Sequence, residues 1–86
     1  MSSNITLLRG LEPAATEQEI YAAALQYVRT VGGVSGLSST TKVAVDKAVA
    51  AIAAATTQLL ADLPDRPAAP PTEPPLRVAA REASAD

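Results

Sequence analysis

TKVAVDKAVAAIAAATTQLLADL, residues 41–63, is the stretch that decides the fold class. Its positions Val45, Val49, Ile52, Thr56, Leu59 and Leu63 step by 4, 3, 4, 3 and 4, the spacing that returns side chains to one face of an α-helix. The result is a heptad seam interrupted only at Thr56. Ala48, Ala53 and Leu60 flank it, and small alanines let two helix backbones approach more closely than leucine-rich packing allows. Ser38, Ser39 and Thr40 are alternative N-caps and Pro64 is a stop, so a helix is expected over about 40–63.

Upstream, Gly32-Gly33-Val34-Ser35-Gly36 supplies the residue type that takes a left-handed cap conformation without a Cβ penalty. It ends an earlier helix, and so short a connection makes the two helices antiparallel. That earlier helix has a specific start. Thr16 and Glu19 form an S/T-x-x-E capping box, in which each side chain satisfies a backbone amide left free at the helix end. From about Glu17 to Val31, Ile20, Ala24, Tyr27, Val28 and Val31 recur at helical spacing, and Tyr21 with Leu25 widens the stripe. Glu17 and Glu19 near the positive end of the helix dipole, with Arg29 near the negative end, fit that direction. Before this helix, Pro13 disfavours helix at Glu12. Asn4 to Arg9 alternates weakly and is too short to separate an edge strand from an extended arm; we read it as a packed arm, residues 1–15.

Downstream, six of the seven prolines lie between Pro64 and Pro75, several of them three apart, which is the period of polyproline II. A Pro/Ala-rich terminal segment of this kind reads as a disordered spacer, residues 64–86. Val78, Ala79 and Ala80 could form a frayed turn, but no cap or partner face is visible for it. The expected architecture is therefore all-α: an antiparallel two-helix hairpin domain over 1–63, with a short N-terminal arm and a disordered Pro-rich C-terminal tail.

Composition removes several function classes. Seven basic and nine acidic residues give a net charge of −2, which offers no global attraction to phosphate backbones or anionic lipid, and nucleic acid is disfavoured as a partner. His and Cys are absent, so the commonest general base, thiolate metal sites and disulfides are missing together. No metal or cofactor is expected. The start, Met1-Ser-Ser-Asn-Ile-Thr, has no apolar region behind a basic one and does not read as a secretory signal, which points to the cytoplasm. The uncharged run Ala48 to Ala61 is 14 residues, short of the ~20 needed to span a bilayer, and reads as a core helix.

The chemistry-bearing residues favour bland roles. Glu17 and Glu19 point to different sides of a helix, so capping outweighs acid–base work. A nucleophile among Ser38, Ser39, Thr40 and Thr41 would need Lys42 or Lys47 as its base, and such a lysine must be buried. The glycine cluster precedes a helix but lacks the strand before it and the Gly-Lys-Ser/Thr after it that a phosphate loop needs. Catalysis is not expected.

At Asn4-Ile5, Leu11-Glu12-Pro13-Ala14-Ala15-Thr16, Glu19-Ile20 and above all Ala22-Ala23-Ala24-Leu25-Gln26-Tyr27-Val28-Arg29, the chain resembles a bacterial family of unknown function whose members open with Met-Cys-Arg-Asn-Ile. The likeness covers about residues 1–63 and is more specific in the first helix than in the second. Ser2 and Ser3 stand where the family has Cys and Arg, so any role of that thiol or guanidinium is lost here. The resemblance implies a fold and a lineage, and it brings no activity with it.

Two helices and an arm bury little, and domains of about 60 ordered residues usually need a staple or a partner. With no staple available, the sequence points to a small interaction protein or accessory subunit. It would form a homodimer or join a larger protein complex through the seam of Val45, Val49, Ile52, Leu59 and Leu63. The competing class is a module for small ligands or nucleic-acid backbones that uses the Gly-rich turn and the Gln26/Tyr27/Arg29 face. Asn4, Gln26, Tyr27 and Arg29 are the candidate polar contacts.

Overall fold

A helix starts where its first free amides find acceptors, and α1 (Glu17–Gly32) starts at Thr16 for that reason. In the computed structural model, which describes residues 3–36, 38–65 and 73–84, the Thr16 hydroxyl accepts from the Glu19 amide at 3.1 Å. The Glu19 carboxylate in turn accepts from the Thr16 amide at 2.8 Å. At the other end Gly33 adopts φ 63°, and its amide donates to the Arg29 carbonyl. The second helix, α2 (Ser39–Asp62), is capped by the Ser38 hydroxyl, which accepts from the Thr41 amide at 3.2 Å. Among the described residues the chain is all-helical, without a strand.

The two long helices meet along a narrow stripe. Ala24, Val45 and Val49 form one buried cluster, with Leu25, Val28, Val34, Ile52 and Ala53 packed around it. Leu8, Leu11 and Ile20 form a second, which takes in Ala15, Ala53 and Leu60. Early α1 therefore lies by late α2 and late α1 by early α2, so the two run antiparallel. The arm crosses them through Leu8 and Leu11. The six residues Leu8, Leu11, Ile20, Ala24, Val45 and Val49 are the buried apolar core among the described residues, and the body is a slab of 42 × 38 × 18 Å.

A third helix, α3 (Pro75–Ser84), corrects the two-helix expectation. It lies inside the segment read as a disordered tail; residues 66–72 and 85–86 of that segment fall outside the described residues. Its anchor is Arg77. The guanidinium forks onto Glu19, with Nε donating to Oε2 at 2.9 Å and Nη2 to Oε1 at 2.8 Å, while Nη1 donates to the Pro13 carbonyl at 2.9 Å. Buried Pro74 precedes it, and the Pro74 carbonyl accepts from the Arg77 and Val78 amides. A ten-residue helix is too short to persist alone. Its stability comes from this docking, which no local pattern in the sequence displays.

Another reading changes with α2 in view. Among the described residues this one helix is long and apolar enough to cross a membrane by length and composition, because it continues past the charges that bound the Ala48–Ala61 run. Only 11% of its most apolar window is buried, so α2 is a core helix along one stripe and exposed over the rest.

Candidate functional site

Three surfaces meet at the arm. Beside it, Ile5, Leu7, Tyr27, Ile52, Leu59 and Leu63 are among the side chains that line a groove of about 440 Å³ between arm, α1 and late α2. Ile5 is 52% exposed, Tyr27 50% and Leu59 53%, so three large apolar side chains stand half open to water along it. Thr56 interrupts the apolar lining without leaving a free group, since its hydroxyl donates back to the Ile52 carbonyl at 2.7 Å.

On the other flank of α1 a broader depression of about 930 Å³ is lined by Asn4, Tyr21, Leu25, Gln26, Arg29 and Leu76 among others. Its polar residues are partly committed. The Asn4 amide donates to Gln26 Oε1 at 2.6 Å, and Gln26 Nε2 donates to the Ser3 hydroxyl at 2.9 Å. Gln26 thus clamps the arm to α1 with both ends of its side-chain amide. Of the four candidate polar contacts, the structure joins Asn4 to Gln26 and places exposed Arg29 along the same depression. Tyr27 faces the apolar groove instead.

The seam residues divide in a similar way. Val45 and Val49 are buried within the chain against α1, Ile52 and Leu63 are half-buried, and Leu59 is exposed. The first two form the chain's own core, and the last three line the groove.

The third surface surrounds Glu19, 6% exposed and the one buried charged residue among those described. Burial by itself pushes its carboxyl up. The Arg77 hydrogen bonds, the Thr16 amide and the Arg77 charge together outweigh that and hold it below its ordinary value of 4.5. This makes Glu19 a structural anion that joins the α1 cap to α3. Sequence reasoning found its capping role from the spacing to Thr16 and had no signal for Arg77, 58 residues away. Lys42, beside the Gly-rich turn, is paired with Asp46 one helical turn on, which raises its pKa. No group of three or more Asp or Glu side chains that could hold a metal comes together among the described residues.

With that geometry in view, the comparison with protein families is informative. A family model described as an uncharacterized conserved protein, DUF2277, matches residues 1–84. The chain belongs to this family. No curated protein and no solved structure matches it. The DUF2277 match reaches well past residue 63, where the resemblance read from the sequence stopped, and includes Arg77 and all of α3. In DUF2277 terms the C-terminal helix is part of what the family model describes.

Proposed function

We propose that this protein is a small non-catalytic interaction protein or accessory subunit of the bacterial cytoplasm, working as a homodimer or within a larger protein complex. The observation that carries this reading is the groove in which Ile5, Leu7, Tyr27 and Leu59 stand exposed together over half-buried Ile52 and Leu63. Burial of such side chains is worth roughly 25 cal/mol per Å² of apolar surface removed from water. A slab 18 Å thick with few fully buried apolar residues has more to gain from that than a thicker domain would. The surface for association is then Ile52, Leu59 and Leu63 of the seam together with the arm and Tyr27, while Val45 and Val49 hold α1 and α2 together from within.

The test is solution mass by light scattering across a wide dilution range, with helix content followed in parallel, for the wild type and for Leu59→Asp. Leu59 is exposed, so the substitution leaves the monomer folded. Association in the wild type that is lost in Leu59→Asp supports the reading. Identical masses and identical helix content for the two chains at every concentration refute self-association through this groove.

A further inference from the structure

One row of α1 side chains is left uncovered. Glu17, Tyr21, Leu25 and Arg29 are four residues apart, so they form a single ridge along the helix surface, of the kind through which helices most often pack on one another. All four line the broad depression on the flank of α1 away from the apolar groove, together with Ala53 and Ala54 of α2. Tyr21 is 51% exposed and Leu25 half-buried, so the middle of the ridge is apolar and open. Its ends are charged and uncommitted. Among the described residues neither the Glu17 carboxylate nor the Arg29 guanidinium has an ion-pair partner. Their signs suit the helix dipole. The resulting order of negative, apolar, apolar and positive is also complementary to itself when run backwards.

We propose that a second copy of this chain packs its α1 antiparallel against this ridge, about a two-fold axis that passes midway between Tyr21 and Leu25. Three turns separate Glu17 from Arg29, about 18 Å along the helix at 1.5 Å per residue. An occupant that answers both charges must be equally long, and another α1 has that length with the opposite charges in place. Symmetry sets Glu17 of each copy against Arg29 of the other, and Tyr21 of each against Leu25 of the other. The two central contacts remove apolar surface from water. The two ion pairs at the rim fix direction and register more than they add affinity. A parallel pairing would bring Glu17 to Glu17 and Arg29 to Arg29, so the same charges oppose it. This goes beyond the association reading above: it assigns self-association to this flank of α1 and leaves the apolar groove beside the arm for a different protein.

The test is light scattering across a dilution series on the Leu59→Asp chain, in which the groove makes no contribution. That chain is expected to dimerise. Glu17→Arg and Arg29→Glu, introduced into it singly at exposed positions, are each expected to keep the helix content and to weaken the dimer at least about tenfold, because each puts like charges together at both ends of the ridge. Mixed in equal amounts, the two variants are expected to regain the mass of their parent, since each chain then meets the opposite charge at both ends. A change of fold in either variant cannot produce that rescue. A mixture that stays monomeric where the parent is dimeric overturns the proposal. So does a Glu17→Arg dimer as tight as the parent's. A Leu59→Asp chain that is monomeric at millimolar concentration also overturns it, while association of the wild type under the same conditions would leave the groove reading standing, so the two fail separately.

Discussion

Arg77→Ala removes the one countercharge among the described residues that reaches Glu19, and at the same stroke the anchor of α3. Arg77 is 17% exposed and makes two bonds to the Glu19 carboxylate plus one each to the Pro13 and Ala14 carbonyls. Deleting one member of a buried ion pair costs about 3–5 kcal/mol when the other is left without compensation. Glu19 keeps the Thr16 amide and the pair retains some contact with water, so the expected loss is nearer ~2–3 kcal/mol. Domains of this size are stable by roughly 0.05–0.15 kcal/mol per residue, so a loss of that order is a large part of the whole. At about 4–8 °C per kcal/mol, the melting temperature should fall by on the order of 10–20 °C. The assay is thermal and urea unfolding by circular dichroism, with native-state hydrogen exchange of the α3 amides, which should lose their protection before the rest. A variant that melts within 3 °C of the wild type (~3 °C being under 1 kcal/mol) with α3 still protected would refute the reasoning. The same pair sets a pH response. A carboxyl held below its ordinary value in the folded state stabilises the fold above that ordinary value, and the contribution is lost as pH falls through the folded one. Wild-type stability should therefore decline below about pH 4.5, near the reference carboxylate pKa, and Arg77→Ala should flatten that decline.

Three other substitutions test the fold at separate points. Thr16→Ala removes the acceptor for the Glu19 amide and should cost about 1–2 kcal/mol, read as a lower urea midpoint at unchanged m-value. Val49→Ala, at a side chain only 2% exposed, should cost about 1–3 kcal/mol, whereas Val43→Ala on the open side of the same helix should stay within ~0.5 kcal/mol; equal losses at the two positions would contradict the placement of the α1–α2 stripe. Gln26→Ala frees both arm contacts, and the Asn4 amide should then exchange with solvent at least tenfold faster while the α1 amides are unaffected.

What could be read from the sequence was what local physics writes there. The Thr16/Glu19 spacing marks a helix start because both halves of the capping box lie within one turn, and Gly33 marks its end because glycine takes a positive φ freely. Helical class follows from the periodicity of the two long segments. The third helix escaped because proline density was read as a property of the whole segment, while a single arginine finds a carboxylate that only tertiary folding brings near. For the candidate site, periodicity groups Val45, Val49, Ile52, Leu59 and Leu63 on one face. It could not say which of them the chain's own first helix covers and which it leaves open. Gln26 stood out as polar within an apolar run, and its partner turned out to be the arm.

The Glu19–Arg77 link also has a kinetic meaning. It joins residues 58 apart in sequence, and closing a loop of that length costs more entropy than bringing α1 against α2 across a six-residue connection. A single ion pair is too weak to nucleate across that distance, so contacts near the turn form first and α3 docks afterwards. When it arrives, the carboxylate it needs is already oriented by the Thr16 amide. Reversal follows the same path, with the C-terminal helix detaching before the hairpin opens. Mechanical pulling or a protease acting at the far end of the chain would therefore meet the lowest barrier in the molecule first.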